Sequence, residues 1–162
     1  MVFLNAFIHT IKLPRKKAIF QLNRVGMDIT IIYMFILLML VSIPSLIDRF
    51  TTDSGLSADL SILFIIIYFF IFYYLPLTII VLILISIIAY IATGLAKLMG
   101  RKLKFSILWK MTAFTTTIPF ILYTIIALFF SISDTYLWAI AGYSIILLII
   151  IISVYPKRRS TK

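Results

Sequence analysis

The chain has 162 residues, of which 64% are hydrophobic and 12% charged, against roughly 45–50% and 25% in soluble domains. Its 15 basic residues, five acidic residues, single histidine and lack of cysteine give a formal net charge of +10. This composition excludes disulfides, thiol catalysis, palmitoylation and Cys-ligated metals, and the length accommodates one membrane bundle without a separate soluble domain.

The first element is amphipathic. In "MVFLNAFIHTIKL" and the residues just after it, Asn5, His9, Lys12 and Lys16 recur at i, i+4, i+7 and i+11, while Phe3, Leu4, Phe7, Ile8 and Ile11 cover the other side. This spacing predicts a helix lying on the cytoplasmic membrane surface, ended by Pro14 and followed by a second short basic helix up to Gly26. Residues 1–27 then form a basic interfacial segment. Lys12, Arg15, Lys16 and Lys17 are expected to hold anionic head groups of the inner leaflet, at about 1 kcal/mol per charge. Arg24 and Asp28, four residues apart, suit an ion pair at the start of the first span. The carboxylate also complements a helix N-terminus.

Four spans follow, at about 29–47, 77–98, 111–130 and 136–155, each near the ~20 residues that a ~30 Å hydrocarbon core requires. The first is longer than a signal-peptide core and lacks a small-x-small cleavage site, so it is expected to stay attached. Fourteen of the 15 basic residues precede span one, lie between spans two and three, or follow span four. Asp48, Asp53, Asp59 and Asp134 fall in the other two loops. The excess of Lys and Arg on one side predicts cytoplasmic termini and a cytoplasmic loop at 99–110. The apolar stretch from Leu60 to Leu98 is nearly twice the length of one crossing. A helix break at Pro76 would separate residues 61–75, an interfacial or re-entrant segment marked by Tyr68, Tyr73 and Tyr74, from span two.

No span carries an interior charge in this register, and the chain has no glutamate, so neither paired carboxylates nor a nucleophile with its base is expected. His9 alone makes no zinc site. No catalytic residue, metal or cofactor is therefore assigned, and no nucleic-acid partner. The informative interior residues are weakly polar. Ser86, Tyr90, Thr93 and Lys97 share one helical face of span two; Thr112, Thr116, Pro119 and Tyr123 share one of span three. Two readings stand: close helix packing with hydroxyl hydrogen bonds, or a polar cleft rimmed by Lys97, Arg101 and Lys104 that admits an anionic head group. Lys102 joins Arg101 and Lys104 at the head-group level. Thr115 and Thr116 can compensate carbonyls freed by Pro119. In span four, Ala139, Ala141 and Gly142 form a small surface suited to close contact.

The stretches "FLNAFIHTIKLPRKKAIFQLNRVGMDITIIYMF" and "GRKLKFSILWKMTAFTTTIPFILYTII" resemble the bacterial domain of unknown function 1189 membrane proteins. The shared features are an aromatic-rich amphipathic start, a basic segment and glycine before the first span, and a basic loop running into a Thr/Pro-bearing helix. The family's larger insert after span one is reduced here to Asp48–Asp59. The resemblance implies a bacterial cell membrane, kinship with Yip-type helical bundles and an association with maltodextrin utilisation; it transfers no catalytic residue. The expected fold is an all-α polytopic bundle of four spans with an interfacial N-terminal helix. The expected role is that of a non-enzymatic accessory or scaffold protein binding other membrane proteins, with a transporter or lipid-handling protein as the competing class.

Overall fold

The computed structural model describes residues 2–51, 61–130 and 135–156. Among these, the regular secondary structure is helical: α1 (Val2–Ile11), α2 (Lys16–Asn23), α3 (Met27–Thr51), α4 (Ile62–Phe69), a π-helical turn (Phe70–Tyr74), α5 (Leu75–Leu98), α6 (Phe105–Thr115), α7 (Thr117–Ala127) and α8 (Thr135–Val154). Three helices, Met27–Thr51, Ile62–Leu98 and Phe105–Ala127, the last with a turn at Thr116, are long and apolar enough to cross a membrane; α8 carries a shorter apolar stretch, Trp138–Val154. Asp53, Asp59, Asp134 and the basic residues Lys157, Arg158, Arg159 and Lys162 lie outside the described residues.

The largest departure from the expected elements is at Pro76. The chain does not break there: α4, the π-helical turn and α5 form one helix of 37 residues. Proline lacks an N–H, and its ring crowds the carbonyl four residues back, here that of Phe72. The π-helical turn contains Phe72, and the Leu75 N–H reaches five residues back to the Phe70 carbonyl. The wider turn makes room for the ring without ending the helix. Residues 61–75 are thus no separate segment. Tyr73 and Tyr74 bond to α3: the Tyr73 and Ser45 hydroxyls lie 2.7 Å apart, and Tyr74 Oη donates to the Phe35 carbonyl at 2.9 Å.

Other boundaries move as well. α3 extends through Asp48 and Arg49, and the third long helix begins at Phe105 rather than near 111. α5 ends in a Schellman motif: the Arg101 N–H donates to the Ala96 carbonyl at 2.8 Å and the Gly100 N–H to that of Lys97 at 3.0 Å. Gly100 sits at φ +67°, a left-handed conformation that a side chain would strain. The basic loop leaves from this turn.

α6 is the hub. Leu108, Trp109 and Met111–Thr117 are all buried, and α6 packs against α2, α3, α5 and α8. α5, which packs against α6, buries Ile85, Ala89, Ala92 and Ala96, a row of mostly small side chains that lets a neighbouring helix approach closely. The apolar face expected on α1 for the membrane surface is not covered by the protein: Phe3, Leu4, Ile8 and Ile11 are exposed, and the buried strip is Ala6 and Thr10. A helix with a wide apolar surface can lie against lipid on one side and seat a narrow, small-residue strip against protein on another.

Candidate functional site

The sequence places hydroxyls densely in Thr112–Thr117, and the fold brings α1 and α3 to that stretch. The Tyr33 hydroxyl lies 2.9 Å from Thr117 Oγ1 and also interacts with Thr10, joining α1, α3 and α7. The Tyr33 and Phe114 rings pack with centroids 5.4 Å apart. Thr10, Tyr33, Thr112, Thr115, Thr116 and Thr117 are all buried. Most of these hydroxyls are committed to their own helices: Thr112 Oγ1 donates to the Leu108 carbonyl, Thr115 Oγ1 to that of Thr112 and Thr116 Oγ1 to that of Ala113, each at 2.8 Å. Hydroxyls bonded this way relieve backbone carbonyls near the Thr116 break, one turn before Pro119.

The residues expected to share a face on α5 differ in burial. Ser86 and Thr93 are half-buried, whereas Tyr90 and Lys97 are exposed, Tyr90 at 76%. The packing face is offset by one position, onto Ala89, Ala92 and Ala96, because small side chains permit a closer approach than tyrosine does. Thr93 Oγ1 donates to the Ala89 carbonyl of its own helix. The side-chain link between α5 and α6 is Trp109 Nε1 donating to Ser86 Oγ at 3.0 Å; Ser86 Oγ in turn donates to the Leu82 carbonyl. Thr112 and Thr116 are buried as expected for helix-interface residues. Tyr123 is half-buried, its ring 5.7 Å from that of Tyr136, whose hydroxyl donates to the Pro119 carbonyl at 3.1 Å. Tyr90 and Lys97 of the first stripe thus stand exposed, whereas Thr112 and Thr116 of the second are buried.

An open groove of about 530 Å³ lies on the outward side of α5. It runs from Ile79 past Leu82, Ile83 and Ser86 to Tyr90, where Phe105 of α6 closes one wall. Its lining is almost wholly apolar. Of the basic residues assigned to head groups, Lys12, Arg15, Lys16, Lys17, Lys102 and Lys104 are exposed and Arg101 is half-buried. Arg24 and Asp28 are both exposed and form no ion pair with each other, which leaves Asp28 its place in the first turn of α3.

Lys110 differs from the other lysines, and a third span drawn from 111 leaves it outside the helix that holds it. It lies within α6, half-buried, and its Nζ donates to the carbonyls of Asn23 at 2.7 Å and Val25 at 2.6 Å. These carbonyls belong to the end of α2 and the turn into α3, where helix termini leave acceptors unsatisfied and a cation is favoured. Lys110 therefore pins the N-terminal helices to the hub. The signal was present: a helix drawn from Phe105 puts one charged residue inside an apolar run, and such residues ordinarily have a dedicated partner.

Among the described residues no three His, Cys, Asp or Glu side chains gather as a metal site, and His9 is half-buried on α1. Comparisons with protein-family models, with curated proteins and with solved structures find no match to this chain.

Proposed function

We propose that this is a four-span bacterial cell-membrane protein with both termini in the cytoplasm, acting as a non-enzymatic accessory or scaffold subunit for other membrane proteins. The observation that carries this reading is the excess apolar length of the second long helix. Its 37 residues reach ~55 Å at 1.5 Å per residue, against a hydrocarbon core of ~30 Å. Tilt absorbs part of such a mismatch, but average tilts near 20° leave most of this one unaccounted for. The α4 end has little cover from its own chain: from Ile62 to Tyr68 no residue is buried. Leu63 is 68% exposed and Phe64 51%. An apolar helix of another integral membrane protein would cover this end. The sorting of the basic residues supports the orientation, and the resemblance noted above supports a place beside sugar-uptake or envelope machinery.

Photo-crosslinking residues placed at Leu63, Phe64 and Ile67 in cells test the reading. Discrete protein adducts at these sites, absent from the same probe at buried Leu108, are expected. Adducts with lipid alone along α4 would refute a docking role. Because the chain has no cysteine, single cysteines at Ser54, Ser133 and Ser160 report topology directly. An impermeant thiol reagent on intact cells should label the first two only, and labelling at 160 would break the four-span arrangement.

A further inference from the structure

We infer that the groove on α5 is a binding site for one anionic phospholipid, with an acyl chain between Ile79 and Ile87 and the phosphate held by Tyr90, Lys97 and Lys104. Three observations converge on this occupant. The first is length. From Ile79 to Tyr90 the helix rises ~16 Å, about the depth of one leaflet of a ~30 Å core. The groove thus runs along the bilayer normal for the length of a fatty-acyl chain, with an almost continuously apolar lining.

The second is the change of chemistry at one end. Tyr90 is the last α5 residue in the groove, and it is highly exposed, its ring on the apolar surface and its hydroxyl free to meet a polar group. Tyrosine favours this boundary because its ring and hydroxyl prefer different surroundings. The third is charge. Lys104 directly precedes Phe105, the residue that closes the groove wall, and Lys97 lies two turns beyond Tyr90 on the same helical face. Both lysines are exposed and have no ion-pair partner among the described residues. Between Ile62 and Leu98 the one charged residue is Lys97, beyond the Tyr90 end, so the slot accepts a lipid with its head group towards the basic loop. Each lysine near the surface is worth roughly fivefold in affinity for an anionic head group. This site does not depend on the scaffold reading, which concerns the other end of the same helix.

Trp109 supplies the reporter, since it bonds to Ser86 in the groove wall, and Trp138 is the one other tryptophan. In a Trp138→Phe variant reconstituted into phosphatidylcholine vesicles, a tenth of the lipid is replaced by acyl-brominated phosphatidylglycerol or by acyl-brominated phosphatidylcholine. Quenching of Trp109 several-fold stronger with the glycerol lipid is expected. Lys97→Gln with Lys104→Gln should remove that preference without shifting the emission maximum of Trp109. Removing three charges on the N-terminal segment, Lys12→Gln, Lys16→Gln and Lys17→Gln, should leave the preference intact. Equal quenching by the two lipids overturns the proposal. So does a preference that survives the Lys97/Lys104 pair, or one lost equally with the N-terminal triple, which marks general surface attraction instead of a site.

Discussion

The second and third long helices make an instructive pair. Ile62–Leu98 is the most apolar of the three and the least buried, with 22% of its apolar stretch inside the protein; Phe105–Ala127 is the least apolar and the most buried, at 67%. A water-soluble protein orders its helices the other way, because burial there follows the hydrophobic effect. In lipid the acyl tails are as apolar as leucine, so an apolar surface gains nothing by leaving them. Threonines, a tryptophan N–H and a lysine do gain by meeting protein partners. The inversion between these two helices is therefore an argument for a lipid surround that does not depend on helix length.

Substitutions at matched positions break or sharpen this contrast. The largest effect should come from deleting the ring of fully buried Phe114 in α6, where Phe→Ala costs ~3–5 kcal/mol through the cavity left behind. Phe72→Ala, at a side chain 66% exposed, should change thermal stability in detergent by less than about 0.5 kcal/mol. Similar losses at the two sites would show that the second helix is packed against something within its own chain.

Next in size is a charge placed on the lipid-facing side. Ile80→Asp, 55% exposed and well inside α5, should reduce membrane insertion by about 2.5–3.5 kcal/mol in a glycosylation-reporter assay. Leu63→Asp, at the far end of α4, should cost far less if that end leaves the hydrocarbon core. Equal penalties would place the whole 37-residue helix within the core and require a steep tilt.

Lys110→Met removes two charge-assisted hydrogen bonds while keeping an apolar stem of similar length. A loss of about 2 kcal/mol is expected, with α2 becoming accessible to protease before the remainder of the bundle. Unchanged protection of α2 would mean that Ala18, Ile19 and Leu22 alone hold it in place. The smallest effect should be that of Tyr33→Phe, which deletes the hydroxyl facing Thr117 and Thr10. Interhelical hydrogen bonds in membrane proteins average ~0.6 kcal/mol, so melting should shift only slightly, while Tyr33→Ala also loses the contact with Phe114 and should cost several-fold more.

How much could be read in advance differs between these regions. The long apolar helices and the short basic helix before the first of them were legible, because each depends on local composition and period. Pro76 misled for a physical reason: a proline weakens a helix only by one hydrogen bond and a steric clash, and a single widened turn relieves both. No pattern in "FIFYYLP" distinguishes relief from rupture. On α5 the buried row is Ala89, Ala92 and Ala96, one position off the hydroxyl period, because small residues are what allow close helix contact. A difference of six residues in where the third long helix starts decides whether Lys110 belongs to a loop or to a helix.

The sequence alone determined that the chain is helical and apolar enough for a membrane, and that its cationic charge is concentrated in a few short stretches. These follow from side-chain chemistry and helical period, which act over a few residues at a time. Only the tertiary structure decided that the threonine-bearing helix is the hub, that Tyr33 meets Thr117 across 84 residues, and that Lys110 closes on carbonyls 85 and 87 residues away. Such pairings depend on which apolar faces find each other among several of nearly equal hydrophobicity. In an all-apolar chain the hydrophobic pattern does not single out a face, so small side chains and a few hydrogen bonds make the choice.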